Sequence, residues 1–240
     1  MRAWRVANGR YRQLMKRLFD IVLSLVGLLL VLPLLLVVAI IVGLTSAGPA
    51  LFLQQRIGKG FRPFCIYKFR TMVQDASQRG GLITVGEDRR ITYVGHWLRK
   101  TKIDELPQLL NVLMGQMSFV GPRPEAEKYV EMFHDDYVEI LQIRPGITDL
   151  ASIKFRDEAA LLGAADQPER QYVERILPEK IRLAKEYVRN QSIWLDLKIV
   201  ALTLSSLVAD RLPRRSGESA VNSESVSVQS THNSRKANEQ

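Results

Sequence analysis

A long uncharged apolar run near the start of the chain limits what this sequence can fold into. Residues 21–44 carry no charged side chain. As one helix they would extend about 36 Å, which exceeds the roughly 30 Å hydrocarbon core of a bilayer. The run is too long for the core of a signal peptide, and no small-residue cleavage site follows it. It therefore predicts a membrane segment, and a single transmembrane helix is the simplest form of that segment.

Pro33 and the charges on both flanks favour a re-entrant segment over a straight span. Proline removes a backbone hydrogen bond from a helix, so Pro33 predicts a break between two halves of about 18 Å each. Positive charges lie on both sides of the run, and the positive-inside bias would keep both sides in the cytoplasm. Only a segment that enters and returns satisfies both flanks. The basic residues before the run are Arg2, Arg5, Arg10, Arg12, Lys16 and Arg17.

Composition divides the 240 residues into four predicted segments. A basic amphipathic segment covers 1–20, and the re-entrant membrane helix, broken at Pro33, covers 21–44. A cytoplasmic globular domain with interfacial helices covers 45–212. Residues 213–240 are polar and lack aromatic residues, which predicts a disordered tail.

The net charge of +9 predicts anionic partners, namely nucleic acid, anionic lipid or phosphorylated small molecules. The chain has no recognisable nucleic-acid motif, and its apolar run does not suit such a protein, so we predict no nucleic-acid partner. Inner-membrane lipids remain as predicted partners. The single cysteine, Cys65, excludes an intramolecular disulfide and a cysteine zinc cluster.

The sequence after the apolar run predicts a mainly helical α+β domain. Residues 51–72 contain two short extended stretches around RIGKG, which predicts a small β-hairpin. Residues 74–90 predict a mobile loop, and RPGIT at 144–148 predicts a turn. Residues 193–212 predict an apolar helix, either in the core or in the membrane interface. Further helices are predicted from Asp104 to Gly115, over 125–142 and over 168–190.

Asp104 and Glu105 form an acidic pair in a basic neighbourhood. Such a pair often marks a solvated helix start, because carboxylates suit the positive end of the helix dipole and Asp104 could cap the helix. That explanation does not account for Arg99 before the pair. It also leaves out Arg123, which lies between Pro122 and Pro124 in a stretch of restricted backbone.

Arginines held in fixed positions suit bidentate phosphate binding, and Lys68 and Arg70 add cations from the predicted hairpin. Carboxylates and cations around a phosphate indicate phosphoryl transfer with a hard metal, because Mg²⁺ prefers one or two protein carboxylates plus phosphate oxygens. An aspartate can also attack phosphorus and form an aspartyl phosphate. The pattern leaves open which of the two carboxylates does which task.

Several sequence blocks occur in an order that resembles the monotopic phosphoglycosyl transferases, also called bacterial sugar transferases. The resemblance covers roughly residues 14 to 205, and its longest block is specific. Besides the proline-containing apolar run, the blocks are KRLFD (16–20), QQRIGKG (54–60), YKFRTM (67–72), IDELPQLLNVLMGQMSFVGPRP (103–124) and RPGIT (144–148).

The resemblance implies an enzyme that moves a sugar-1-phosphate from a UDP-sugar to polyprenyl phosphate, such as undecaprenyl phosphate, and releases UMP. Such an enzyme begins a surface glycan at the cytoplasmic face of the bacterial inner membrane. By the same resemblance Asp104 is the nucleophile, which would form an aspartyl phosphosugar, and Glu105 helps to hold Mg²⁺. Lys68, Arg99 and Arg123 would contact the phosphates or the nucleotide. Pro122 and Pro124, which flank that last arginine, are grouped with the substrate-binding residues.

Two stretches depart from the family pattern. Leu32 precedes Pro33 where many members have serine, and residues 149–163 read DLASIKFRDEAALLG instead of the more usual continuation. The identity of the sugar is therefore not carried over from the family. A catalytically inactive scaffold that binds anionic lipid stays open as an alternative function, because it would need the basic residues but not Asp104. A homo-oligomer also stays open.

Overall fold

The fold is α+β and mainly helical, as the sequence predicted. It is seen in a computed structural model that describes residues 2–81 and 83–209, with side chains from residue 13 onward except at 77 and 207–209. The chain up to Thr203 forms one compact unit that includes the apolar helix. The tail predicted over 213–240 lies outside the described residues.

The N-terminal part of the chain is a single helix, α1 (Arg2–Thr45), with Pro33 inside it. The predicted separation into two helices at Pro33 is therefore wrong at the level of secondary structure. One proline removes only one backbone hydrogen bond, so the helix continues on both sides, as it also does in bent helices. Within α1, Gln13–Thr45 is long and apolar enough to cross a membrane, and only 11% of its most apolar stretch is buried in the protein.

Both ends of the apolar part of α1 are tied to the rest of the unit. At one end, Arg17 donates from Nη1 to Val112 O at 2.6 Å and from Nη2 to Leu113 O at 2.9 Å. At the other end, Arg70 Nη2 donates to Ser46 O at 2.7 Å. These contacts bring residues almost thirty positions apart in α1 onto one globular body.

The predicted hairpin is confirmed. Strands β1 (Leu51–Ile57) and β2 (Pro63–Phe69) pair in antiparallel register, with Phe52 opposite Lys68. A 3₁₀ turn, Lys59–Phe61, connects them, and Gly60 there has a positive φ of 66° that favours glycine. The hairpin places Lys68 near the end of β2.

Short helices make up most of the remaining domain. The stretch predicted from Asp104 to Gly115 begins as a 3₁₀ turn (Ile103–Glu105) and continues as an α-helix. The stretch predicted over 125–142 is divided at Phe133, and the one predicted over 168–190 contains a π-helical turn at 172–176. In chain order the helices are α2 (Ala76–Arg79), α3 (Tyr93–Thr101), α4 (Gln108–Leu113), α5 (Glu127–Met132), α6 (His134–Ile140), α7 (Leu150–Lys154), α8 (Glu158–Gly163), α9 (Pro168–Gln171), α10 (Leu177–Asn190) and α11 (Ile193–Ala209).

The RPGIT sequence forms a strand where a turn was predicted. Strand β4 (Gly146–Thr148) pairs in parallel with β3 (Ser118–Val120). The two backbones approach so closely that a Cβ on Gly146 would lie 2.1 Å from Gly121 N. Strands of three residues are too short to show an alternating pattern, so this pairing could not be predicted from the sequence.

The main core lies between the end of the hairpin and the helices α5, α6 and α10, with Tyr129, Ile140, Leu177 and Ile181 among its buried residues. A second cluster packs α1 against β2 and α3 through Val38, Val42, Phe69 and Leu98.

Helix α11 is buried on one face and exposed on the other. Its Asp196 and Ile199 are fully buried, whereas Trp194 is 82% exposed. Asp196 accepts hydrogen bonds from Lys16 Nζ at 2.7 Å and from the Tyr187 hydroxyl at 2.6 Å. The helix is therefore fixed to the core on one face and presents an apolar face on the other.

Candidate active site

Three separate elements bring the predicted site residues together. Strand β2 supplies Lys68, the 3₁₀ turn before α4 supplies Asp104 and Glu105, and the loop between β3 and α5 supplies Arg123. The turn follows directly on α3, where Lys102 adopts a left-handed conformation (φ 58°) and ends that helix. The carboxylate pair therefore lies at a sharp change of chain direction, facing the hairpin and the loop.

Glu105 is held by two cations. Lys68 Nζ donates to its Oε1 at 3.2 Å, and Arg123 donates to both oxygens, from Nη1 to Oε2 at 3.1 Å and from Nη2 to Oε1. Burial alone would raise the pKa of Glu105, but Arg123 and Lys68 outweigh it and hold that pKa well below its usual range. Glu105 is therefore negatively charged and paired with Lys68 and Arg123 in an ion-pair cluster.

Asp104 has the opposite environment. Its side chain is buried, with the residue 7% exposed, and its Oδ1 has no hydrogen-bond partner among the described residues. Burial and then the neighbouring charge of Glu105 raise the pKa of Asp104 to about 6, against the opposing effect of Lys68, Lys102 and Arg99. Asp104 thus offers a buried oxygen that is not engaged by the protein.

Arg99 lies on the Asp104 side of the site and does not join the Glu105 cluster. Its Nε donates to Thr71 Oγ1 at 2.8 Å and its Nη1 to Thr84 Oγ1 at 3.1 Å. These hydroxyl contacts hold the guanidinium without neutralising it. Its charge still acts on Asp104, because it opposes the rise of that carboxyl's pKa.

The two prolines around Arg123 are buried and their loop is held by β4 and α7. Pro122 O accepts a hydrogen bond from Gly146 N at 2.9 Å. Arg123 N donates to Asp149 Oδ2 at 3.1 Å, and the other oxygen of Asp149 caps α7. Pro122 and Pro124 therefore shape the loop, and backbone contacts of this kind leave the Arg123 guanidinium free to reach the acidic pair.

Sequence reasoning missed two residues of this region. One is Asp149, the first residue of the stretch that departs from the family pattern, and no local signal connects it with Arg123. The other is Arg56, whose guanidinium bonds only Gln55 O among the described residues, at 3.0 Å. Burial lowers the pKa of Arg56, the Glu125 carboxylate opposes this, and the charge of Arg123 adds to it, so Arg56 lies near both groups.

Arg70, which the sequence offered as a further phosphate-binding cation, has a different role. It is buried and donates to Val42 O in the last turn of α1 and to Ser46 O and Pro49 O just after that helix. Its hydrogen-bonding capacity is used to fix the end of that helix. The structure therefore removes Arg70 from the candidate phosphate site.

The acidic pair fits a metal that needs few protein ligands. Within residues 2–81 and 83–209 no group of three or more His, Cys, Asp or Glu side chains could hold a metal by itself. Mg²⁺ commonly binds through one or two carboxylates together with substrate phosphates. The unpaired Oδ1 of Asp104 and the carboxylate of Glu105 suit that mode.

Comparisons with known proteins show which family the chain resembles. The family model described as bacterial sugar transferase matches residues 11–210. The chain is 39% identical over 196 residues to a UDP-N-acetylgalactosamine-undecaprenyl-phosphate N-acetylgalactosaminephosphotransferase of Aeromonas hydrophila, covering 80% of this chain and 43% of that protein. It is 41% identical over 192 residues to a UDP-glucose:undecaprenyl-phosphate glucose-1-phosphate transferase of Klebsiella pneumoniae, covering 79% and 39%.

A third relative has nearly the length of this chain. The exopolysaccharide production protein PSS of Rhizobium leguminosarum bv. phaseoli is 40% identical over 205 residues, which cover 80% of this chain and 94% of that protein. The first two relatives are longer, and the chain spans about two fifths of each. Because the family model covers 11–210 of the 240 residues, the chain belongs to the bacterial sugar transferase family.

Proposed function

We propose that this protein transfers a sugar-1-phosphate from a UDP-sugar to undecaprenyl phosphate, or a similar polyprenyl phosphate, with release of UMP. The supporting observation is the unequal acidic pair, in which Glu105 is closed into an ion-pair cluster while Asp104 keeps an unpaired buried oxygen. This inequality suggests the division of tasks that the sequence left open. Asp104 is the nucleophile, and Glu105 organises the cations and helps to hold the metal.

The donor diphosphate would bind among Lys68, Arg123 and Arg56. The first two already surround Glu105, and the third lies near both Arg123 and the Glu125 carboxylate. Arg99 supports the opposite side, where hydroxyl groups hold it near Asp104. Cations fixed in this way can stabilise the charge that spreads over the phosphoryl oxygens during transfer.

Glu105 would help to hold Mg²⁺ together with the oxygens of the donor diphosphate. A bound Mg²⁺ offsets phosphate charge and polarises the phosphoryl oxygens. Because Lys68 and Arg123 occupy the oxygens of Glu105 in the free protein, the metal and the diphosphate are expected to enter together.

The chemistry proceeds in two displacements. The Asp104 carboxylate attacks the phosphorus that bears the sugar, and the bond from this phosphorus to the bridging oxygen breaks, so that UMP leaves with the bonding electrons. A phosphate oxygen of the polyprenyl acceptor then attacks the same phosphorus. The bond to Asp104 breaks, the carboxylate is regenerated and the sugar is left on a polyprenyl diphosphate.

The membrane arrangement that suits this reaction is re-entrant, by a bend at Pro33 within the continuous helix α1, with both termini on the cytoplasmic face of the inner membrane. The contacts of Arg17 and Arg70 support it, because they tie both ends of the apolar part of α1 to one body. A straight span would carry one of these ends about 30 Å away, to the far side of the bilayer. Exposed leucines between the ends, such as Leu29, Leu30 and Leu36, would contact lipid.

The sugar is not assigned, because the names of the relatives specify N-acetylgalactosamine in one case and glucose in another. The product would begin a surface polysaccharide or other glycoconjugate. The scaffold alternative is not favoured, since the curated relatives are named as transferases and the acidic pair has no task in lipid binding.

The test is UMP release by the purified chain with undecaprenyl phosphate, Mg²⁺ and a panel of UDP-sugars that includes UDP-glucose and UDP-N-acetylgalactosamine. We expect release with at least one donor, and loss of release in Asp104→Asn while binding to anionic vesicles stays unchanged. Vesicle binding without release for any donor, in the wild-type chain, would support the scaffold and contradict the proposal.

A further inference from the structure

We propose that Gln108 is a further active-site residue, whose Nε2 donates a hydrogen bond to the phosphoryl group while that group is bound at Asp104. This inference rests on the proposed function and adds a neutral donor to the cations described above. It concerns a residue to which neither the sequence pattern nor the ion-pair cluster assigned a task.

The first observation is that the amide of Gln108 is buried and incompletely paired. The residue is 2% exposed, and Nε2 has no acceptor within the part of the chain that the structure describes. Buried side-chain amides are normally hydrogen-bonded, because an unpaired buried donor is unfavourable. An unpaired donor in such a place therefore calls for an acceptor that arrives with a ligand.

The next buried amide on the same helix shows that this segment can pair its amides fully. Asn111, which is 0% exposed, donates from Nδ2 to Cys65 O at 2.7 Å and to Gln116 Oε1 at 2.7 Å. Its Oδ1 accepts from Tyr67 N at 3.0 Å. The contrast between these two neighbouring amides separates a structural residue, Asn111, from one whose partner is missing in the free protein.

The second observation is the position of Gln108 relative to Asp104. The two residues are four positions apart in the sequence. Of the residues between them, Leu106 (φ −56°, ψ −34°) and Pro107 (φ −59°, ψ −17°) have right-handed helical backbone angles. Long side chains on a helix lean toward its N-terminus, over the preceding turn. The Gln108 side chain is therefore expected to lean back over the turn that carries Asp104 and Glu105.

The third observation is that both groups lack partners. Asp104 Oδ1 and Gln108 Nε2 are both buried and unpaired among the described residues, and they do not bond each other. A phosphoryl group on Asp104 would bring acceptor oxygens to this place. A neutral donor can stabilise them without placing another positive charge beside the nucleophile, which would weaken its attack.

The experiment compares Gln108→Met with the wild-type chain. Methionine keeps the length and apolar stem of glutamine but has no N–H group. We expect an unchanged or higher thermal unfolding midpoint, because an unpaired donor is removed, and a fall in UMP release of about 100-fold, as for the loss of an oxyanion donor. The loss should be in kcat more than in KM, because the contact forms at the phosphorus under transfer.

Two further variants keep the result interpretable. Gln108→Glu retains the shape but replaces the amide donor by a carboxylate, and should be as inactive as Gln108→Met. Asn111→Leu should lower the unfolding midpoint, because it leaves backbone partners of Asn111 unpaired. Wild-type-like release in Gln108→Met, or a lower midpoint in that variant, would overturn the inference. A wild-type chain that releases no UMP would instead refute the proposed function, so the two failures are distinguishable.

Discussion

At the scale of single residues, the protein gives two adjacent carboxylates different protonation behaviour. Glu105 faces Lys68 and Arg123, which hold its pKa well below the usual range after outweighing the effect of burial. Asp104 is buried beside that negative charge, and its pKa rises to about 6. The difference arises from the long-range placement of β2 and of the loop after β3, so it could not be predicted from the neighbouring residues in sequence.

The raised pKa of Asp104 has a consequence for stability in the metal-free protein. Below about pH 4 both the folded and unfolded states hold the proton, and between about pH 4 and 6 only the folded state does. The free energy of unfolding therefore falls as the pH rises from about 4 to 6, and above about pH 6 Asp104 is a buried anion. Asp104→Asn removes the charge and should be more stable than wild type at about pH 8, by on the order of 3 kcal/mol.

The measurement is thermal or denaturant unfolding of both proteins in detergent with EDTA, at pH values across this window. The two stability curves should meet at the acid end and separate toward neutral pH. A wild-type protein that gains stability over Asp104→Asn as pH rises would show that Asp104 is stabilised as an anion, against the environment described above.

Metal binding should depend on the diphosphate. In the free protein Lys68 and Arg123 already engage the oxygens of Glu105, so Mg²⁺ alone competes with two cations. We expect weak binding of Mg²⁺ to the free protein and at least about tenfold tighter binding with UDP present, because the phosphate oxygens complete the ligand set. Calorimetric titrations of Mg²⁺ with and without UDP measure this. Equal affinity in both titrations would contradict the shared site.

At the scale of elements, the sequence predicted the parts that have strong local patterns. The β1–β2 hairpin and the helical stretches around α4 and α10 were anticipated, and so was the end of α4 near Gly115, where φ is +81°. The β3–β4 pair was not, because a three-residue strand has no detectable periodicity. Asp149 was missed for a related reason, since its contact with Arg123 N depends on that pairing.

The close contact between β3 and β4 gives a test at this scale. In Gly146→Ala the new Cβ would lie 2.1 Å from Gly121 N and 2.4 Å from Gly121 O, so the backbones must separate. Because Pro122 O is held by Gly146 N, separation would also displace the loop that carries Arg123. We expect a loss of about 3 kcal/mol or more in the free energy of unfolding, together with loss of UMP release.

Gly81→Ala is the matched control, because no atom lies within 4 Å of the position of its Cβ. It should retain stability and activity near the wild-type values. A Gly146→Ala protein with wild-type stability would mean that the two strands are not in close contact.

At the scale of the whole molecule, polar contacts between distant segments join α1, α11 and the domain. Lys16 and Tyr187 both bond Asp196, and Asp20 accepts from Ser118 Oγ and Phe119 N, each at 3.1 Å. Hydropathy could indicate that the apolar run meets a membrane, but the contacts of Lys16 and Asp20 join residues about 100 to 180 positions apart. The sequence therefore predicted the membrane segment without predicting what fixes its ends, and it placed a helix break at Pro33 where α1 is continuous.

The re-entrant arrangement predicts the location of both termini. Single cysteines at positions 8 and 225, in a Cys65→Ser background because Cys65 is exposed, should be protected from a membrane-impermeant thiol reagent in intact cells. Both should react after the inner membrane is opened. Labelling at position 8 alone in intact cells would mean that α1 crosses the membrane, against the positive-inside bias of its basic N-terminal residues.

The central claim is that Asp104 carries the phosphosugar between donor and acceptor. Its most direct test is intact-protein mass after incubation with an accepted UDP-sugar and Mg²⁺ in the absence of polyprenyl phosphate. The account predicts a mass increase of one phosphosugar, mapped by peptide analysis to Asp104, absent from Asp104→Asn and lost again when undecaprenyl phosphate is added. An adduct on another residue, or one that persists in Asp104→Asn, would contradict the account.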